Sequence, residues 1–290
     1  MLSSAAMLNL LIKPLSLLSL KTIHRLGSLL GKAMYLSMPN AKRLIAENIK
    51  QTSFVFHDSN AFIKTNLEES GKAILESLAI WQNSGQQTLS WVTACNDWNL
   101  VEKAIARKKG IIFLTPHMGC FEITSIFYGA HYPITVLFRQ PKRKWLRSLT
   151  VKGRSHNQVH LAPANTNGVR KLLQALKRGE AIGILPDQIP GKGEGEWAPF
   201  FGKPAYTMLL ASKLAEKTGA TVIMAYGERL PDGEGFKIHL TELPEGAIAT
   251  PALLNQAIEK QIAQNPSQYL WSYPRYKVRN RLLKKQQTTN

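Results

Sequence analysis

Residues 110–130, GIIFLTPHMGCFEITSIFYGA, decide the fold. Ile111-Ile112-Phe113-Leu114 is a short unbroken apolar run, preceded by the charged Arg107-Lys108-Lys109-Gly110. Such a run reads as a strand buried on both faces, of the kind found inside a parallel sheet. Pro116 stops the strand, Gly119 loosens the turn, and Phe121-Glu122-Ile123 begins an apolar stretch long enough for a helix. His117 and Glu122 thus sit where a central strand hands over to a helix, the place where open α/β sheets carry their chemistry. On one continuous helix, residues five apart would point about 140° away from each other. His117 is therefore placed in the turn and Glu122 in the first helical turn, looking back at it. A carboxylate accepting from one imidazole nitrogen leaves the other free to take a proton from a hydroxyl.

Outward from this stretch the chain alternates strands with helices. Helices are predicted over 41–51, 61–82 and 97–109, followed by strands at 111–114 and 134–138 and a basic helix around 142–152. A strand at 158–161 leads to a helix capped by Asn165-Thr166-Asn167, with Val169, Leu172, Leu173 and Leu176 on one face. Residues 182–185 read as another buried strand ending in Pro186-Asp187-Gln188, and 191–195 (GKGEG) as a mobile loop or substrate lid. A helix over 205–218, strands at 221–226 and 236–241, and a helix over 252–264 complete the pattern. The fold class is α/β, with one domain over 39–290 and a mostly parallel central sheet flanked by helices.

The first 38 residues differ. Residues 8–20 are rich in Leu but interrupted by Lys13 and Pro14, whereas a spanning helix wants roughly 18 or more clean apolar residues. Residues 23–36 set Ile23, Leu26, Leu30 and Met34 near one side. This reads as an N-terminal membrane-associated segment, 1–38, either a hairpin or an interfacial helix. A single tilted span from Met1 and a packed core helix are the alternatives.

Charge narrows the partners. The 290 residues hold 37 basic and 19 acidic side chains, a formal +18. Residues 139–154 hold seven basic groups and no acid, and 275–285 hold six and no acid. Segments this one-sided favour anionic lipid head groups, nucleic acid or an acidic protein. Two cysteines, Cys95 and Cys120, supply neither a disulfide framework nor a metal set. No RNP, helix-turn-helix or zinc-finger pattern accompanies the charge, which argues against nucleic acid.

Thr115-Pro116-His117-Met118-Gly119-Cys120-Phe121-Glu122 resembles the His-x4-Asp/Glu block of the glycerolipid acyltransferase superfamily, and within it the bacterial lipid A late acyltransferases, the lauroyl and myristoyl transferases. The resemblance continues through Phe138-Arg139-Gln140-Pro141, Leu185-Pro186-Asp187-Gln188, Pro199-Phe200-Phe201-Gly202 and Gln268-Tyr269-Leu270-Trp271, ending at Arg275-Tyr276-Lys277. It implies a glycerolipid-acyltransferase-like domain that moves an acyl group from acyl carrier protein to a hydroxyl of a Kdo-bearing lipid A precursor. It also implies a place at the cytoplasmic face of the cell inner membrane, among anionic lipids. No cofactor is expected beyond the acyl donor, and no metal. His117 is the expected base and Glu122 its partner. Arg139, Arg154, Asp187, Gln188 and Arg275 are expected to bind substrate, with Arg139, Arg154 or backbone amides near Gly119 facing the oxyanion. Tyr273-Pro274 departs from the His-Arg that related enzymes often carry there.

Other readings are an acyltransferase of the same fold acting on another glycolipid or an amino-acid lipid, with acyl-CoA as donor, or a basic nucleic-acid-binding protein. Cys120 beside the His suggests an acyl-thiol intermediate, but reads better as a small apolar filler.

Overall fold

The computed structural model describes residues 12–141 and 144–277, with side chains except at Lys144 and Trp145. A 3-10 turn at Lys13–Leu17 precedes helices α1 (Leu20–Ser37), α2 (Pro39–Ile49), α3 (Ser59–Gln82) and the short α4 (Gly85–Leu89). Alternation then sets in with β1 (Val92–Cys95), α5 (Trp98–Ala106), β2 (Ile111–Leu114), α6 (Phe121–Gly129) and β3 (Ile134–Phe138). It continues through α7 (Lys144–Arg154), β4 (Val159–Pro163), α8 (Thr166–Lys177) and β5 (Ala181–Ile184). A hairpin of β6 (Gly195–Phe200) and β7 (Lys203–Met208) leads to α9 (Leu210–Thr218), β8 (Thr221–Arg229), β9 (Phe236–Glu242) and α10 (Pro251–Gln264).

Seven strands form the central sheet in the order β1-β9-β8-β2-β5-β3-β4. Only β8 and β9 run antiparallel, so the sheet is mixed and mostly parallel. β2 lies between β8 and β5 and is wholly buried, as its apolar run requires. Its side chains alternate between two cores. Ile112 and Leu114 pack with Leu172, Leu176 and Leu214, and Ile111 and Phe113 pack with Val101, Tyr128 and Ile134. The first core faces α8 and α9; the second faces α5 and α6.

Several elements depart from the predicted pattern. β1 was not foreseen, and residues 205–208, expected at the start of a helix, belong to β7 and pair with β6. The hairpin turns through Phe201 and Gly202 at φ 47° and 74°, both in the left-handed region that a two-residue hairpin loop demands. Glu259 accepts a hydrogen bond from the Phe201 backbone N–H at 2.6 Å and helps hold that turn. The expected loop at 191–195 is a fastened turn, in which Gly193 N and Gly195 N both donate to the Tyr206 hydroxyl at 3.2 Å.

The N-terminal segment is the larger correction. Among the described residues, no helix is long and apolar enough to cross a membrane. The interrupting Lys13 and Pro14 lie in the 3-10 turn, and α1 carries Lys21, Arg25 and Lys32. The expected membrane-associated helix is instead a packed one. α1 crosses α3 at backbone contact, since a Cβ at Gly31 would lie 2.3 Å from Glu68 Cα and one at Gly71 would lie 2.2 Å from Gly27 O. Ile23 is fully buried. The expected location at the inner membrane is corrected by the same finding, that no described helix is long and apolar enough to cross a membrane. Residues 1–11, which include the first four residues of the Leu-rich stretch, Lys142 and Arg143 of the basic helix, and the basic tail beyond 277 lie outside the described residues.

A buried charge cluster ties this layer to the sheet. Arg229, on β8, pairs with Glu76 and with Glu69 (2.6 Å) on α3, and His24 Nε2 of α1 lies 2.6 Å from Glu76. Burial alone would raise the Glu76 carboxyl, but the Arg229 guanidinium and His24 hold it down at about 2. A carboxyl depressed on folding stabilises the protein above its unfolded pKa and loses that contribution as pH falls through the folded value. Stability is therefore expected to drop between about 4.5 and about 2 in part through Glu76. Denaturant titrations of Glu76→Gln should show a lower plateau and a flatter acid slope than the native chain; an unchanged slope would contradict this pairing.

Candidate active site

The register of β2 against β5 assembles the site. Leu114 pairs with Ile184, and the two parallel strands continue in step, Thr115-Pro116-His117 beside Leu185-Pro186-Asp187. Three residues beyond the last paired positions, His117 Nδ1 meets Asp187 Oδ1 at 2.8 Å. The backbone N–H of His117 donates to Asp187 Oδ2 at 3.0 Å, so both carboxylate oxygens are engaged by one residue. Asp187 is buried; burial raises its carboxyl, but the His117 ring and the hydrogen bonds outweigh this and hold it below its ordinary range. An ionised Asp187 only accepts, so the proton of neutral His117 sits on Nδ1. Nε2 is then the bare nitrogen, and the Gln188 side-chain amide donates to it at 3.1 Å. The ring also packs on Phe121, with centroids 5.1 Å apart.

Glu122 does not take the place expected for it. It lies in the first turn of α6, where a carboxylate suits the helix dipole, but its partner is Arg154. Arg154 Nε donates to both Glu122 oxygens at 2.9 and 3.0 Å, and Nη2 donates as well. Arg154 also sits over the Trp81 and Phe138 rings, at 5.5 and 5.2 Å. The imidazole partner is thus Asp187, and the Glu122 carboxylate holds a guanidinium.

His117, Glu122, Arg139, Arg154 and Gln188 all line a cavity of about 490 Å³ between the sheet and α6. Phe113, Ile134, Val136, Val159 and Ile238 form apolar walls, and Trp98, Phe127 and Tyr128 add aromatic ones. Small residues on this face of the sheet, Gly183 and Ala225, leave room that larger side chains would fill. The cavity reaches from the loops after β2 and β5 to Ile134, which pairs with Ala181 at the opposite end of the ladder. Arg139 is an exposed cation on the cavity wall, just past β3.

The remaining expected residues do other work. Arg275 is buried and donates to Tyr206 O at 2.7 Å and Thr207 Oγ1 at 2.8 Å, away from the cavity lining. Backbone amides near Gly119 are engaged: Gly119 N donates to Gln268 O at 3.0 Å and Cys120 N to Gly227 O at 2.8 Å. Gly119 has φ +57°, and a Cβ there would lie 2.1 Å from Gly227 O, so only glycine fits this turn. Cys120 is buried with Ile123, Ile126 and Phe236; burial, then the Glu76 carboxylate, pushes its thiol well up. That is the opposite of an activated nucleophile. No group of three or more His, Cys, Asp or Glu side chains among the described residues is placed to hold a metal ion.

Tyr269 and Tyr273 escaped the sequence reading as site residues. Burial, then the nearby Asp187 carboxylate, pushes the Tyr269 phenol well up, and the Tyr273 hydroxyl accepts from Ile189 N at 3.0 Å. Their only signal was membership in an aromatic-rich terminal stretch.

Comparison with known proteins places the chain at family level. The family model described as bacterial lipid A biosynthesis acyltransferase matches residues 2–278. A lipid A biosynthesis palmitoleoyltransferase of Escherichia coli (strain K12) is 26% identical over 262 residues, which cover 88% of this chain and 84% of that protein. A lipid A biosynthesis acyltransferase of Shigella flexneri has the same 26% identity and the same coverage. A lipid A biosynthesis lauroyltransferase of Escherichia coli (strain K12) is 24% identical over 267 residues, 89% of this chain and 86% of its own.

Removing Arg154 would strand a buried carboxylate. Because Arg154 is itself partly exposed, Arg154→Ala should cost about 2–3 kcal/mol, toward the low end for breaking a buried pair. Glu122→Gln in the same chain should recover part of that loss in a denaturant-based double-mutant cycle. Strictly additive losses would show that the two groups do not depend on each other.

Proposed function

Because the chain belongs to the bacterial lipid A biosynthesis acyltransferase family, we propose that it moves a fatty acyl group from acyl carrier protein to a hydroxyl of a Kdo-bearing lipid A precursor. The observation that carries this reading is a His117–Asp187 pair at the opening of a long apolar cavity. An acyl chain belongs in such a cavity, and a base beside it serves the thioester end.

The chemistry follows from the groups present. The acceptor hydroxyl replaces the Gln188 amide at His117 Nε2 and gives that nitrogen its proton as its oxygen attacks the thioester carbonyl. Asp187 keeps the ring in the productive tautomer and stabilises the imidazolium that forms. Arg154, held in place by Glu122 before substrate arrives, is the cation best prepared for the tetrahedral oxyanion, since a fixed donor needs no reorganisation during the reaction. The intermediate collapses by breaking the carbon–sulfur bond, and His117 returns the proton to the departing thiolate. No acyl-enzyme is required, which agrees with the buried, unactivated Cys120 thiol.

Charge supports the same substrates. The formal +18 suits an acidic carrier protein and an acceptor bearing phosphates and carboxylates. Arg139 and Arg154 line the cavity, and guanidinium groups bind phosphate and carboxylate with two parallel hydrogen bonds. The relatives named as palmitoleoyl- and lauroyltransferases support a long-chain donor.

Purified chain should transfer acyl groups from acyl carrier protein to Kdo-lipid A precursor, read by mass spectrometry of the lipid product. His117→Ala should lower the rate by about 10²–10⁴-fold. Asp187→Asn, which inverts the tautomer, should cost up to about 10⁴-fold. Glu122→Gln should cost less than His117→Ala, because it leaves the His117–Asp187 pair intact. Native-like turnover in folded His117→Ala would overturn the reading, while transfer only to another lipid would keep the chemistry and change the acceptor.

A further inference from the structure

The segment 266–276 runs as a strap between the active-site turn and the helical layer behind it. On one edge it meets the His117 turn: Leu270 N donates to His117 O at 3.0 Å and Gly119 N donates to Gln268 O at 3.0 Å. Tyr269 forms a bridge with Met118. The strap reaches the turn that carries Asp187 as well, through the Tyr273 hydroxyl, which accepts from Ile189 N at 3.0 Å. One short piece of chain therefore holds both turns that carry the proposed base pair.

Two buried asparagines hold the strap from behind. Asn66, on α3, donates to Ser267 O at 2.8 Å and Tyr269 O at 2.7 Å. Asn48, on α2, donates to Trp271 O at 2.7 Å and Tyr273 O at 3.0 Å. The strap is a run of turns, a 3-10 turn at Pro266–Gln268 followed by turns at 271–272 and 275–276, that leaves alternate backbone groups pointing to opposite sides. Carbonyls 267, 269, 271 and 273 face the asparagines, whereas Gln268 O and Leu270 N face the His117 turn. A primary amide has two N–H donors, and each asparagine places both on carbonyls two residues apart. Asn66 Oδ1 is buried without a partner among the described residues. Leaving an acceptor unsatisfied costs stability, so the position is occupied for its donors and not for packing.

We propose that Asn66 and Asn48 are positioning residues for acyl transfer: they fix the strap that aligns His117 with Asp187. Neither lines the cavity, so both act through the strap. The proposal rests on the reading of His117 as the base.

The test uses the full chain with Asn66→Ala and Asn48→Ala made separately, each checked for cooperative unfolding. kcat should fall by about 10–100-fold while KM for donor and acceptor stays within about twofold, because misplacement by an ångström or so affects the reacting geometry and not the binding of distant groups. Hydrogen exchange read by mass spectrometry should quicken in peptides covering 117–119 and 268–273 and stay slow in β2, β5 and β8. Native kcat in the folded variants, or exchange raised evenly through the sheet, would overturn the proposal. If Asn66→Ala does not fold, Tyr273→Phe decides: it removes only the hydroxyl that accepts from Ile189, and must lower kcat with KM unchanged. A native chain that transfers no acyl group would count against the functional reading, and exchange alone would then decide the strap.

Discussion

The hydrogen-bonded ladder between β2 and β5 is the constraint on which the rest depends. Parallel pairing of Leu114 with Ile184 fixes where the two following turns begin. Because each turn is entered through a proline in the same step, His117 and Asp187 arrive side by side. A shift of one residue would turn every side chain of β2 to the other core and separate the pair by a full step. Ile112 and Leu114 on one face, and Ile111 and Phe113 on the other, make that shift prohibitive. Packing of four apolar residues thereby secures the geometry of a proton transfer.

Around this ladder, a strongly basic chain buries carboxylates only where a partner is fixed beside them. Asp187 has His117, Glu122 has Arg154, and Glu76 has Arg229 and His24. Isolated buried charges are costly, and pairs of this kind stabilise less than they specify. Each pair here joins elements far apart in sequence. Arg229–Glu76 ties β8 to α3, Arg154–Glu122 ties α7 to α6, and His117–Asp187 joins the two turns at the cavity. The strap 266–276 adds backbone and asparagine bonds between the same layers, so the cavity opening is stiff while its apolar interior is left open.

Much of this architecture was legible in local sequence. The apolar runs at 111–114 and 182–185, the breaks at Pro116 and Gly179, and the Asn165 cap each act within a few residues. The partner of His117 was not legible, because parallel neighbours lie 70 residues apart and nothing local names them. A signal did exist: Ile111-Ile112-Phe113-Leu114-Thr115-Pro116-His117 and Ala181-Ile182-Gly183-Ile184-Leu185-Pro186-Asp187 have the same plan, four strand residues, one more, proline, then an ionisable group. The β6–β7 hairpin hid because Phe201-Gly202 supplies a left-handed pair in which Asn-Gly would be the usual cue. The packing of α1 is hidden behind its Leu content, because the close helix crossing depends on Gly27 and Gly31 at four-residue spacing. The basic charge of α7 was visible, but its final Arg154 belonged to Glu122, a tertiary pairing that spacing does not announce.

The most direct test of the central assignment is the tautomer of His117, read by nitrogen-15 NMR of the imidazole in the native chain, in Asp187→Asn and in Glu122→Gln. A proton on Nδ1 and a bare Nε2 are expected in the native chain and in Glu122→Gln, with that signature lost in Asp187→Asn. The reverse result, a signature kept in Asp187→Asn and lost in Glu122→Gln, would contradict the assignment and return the carboxylate role to Glu122.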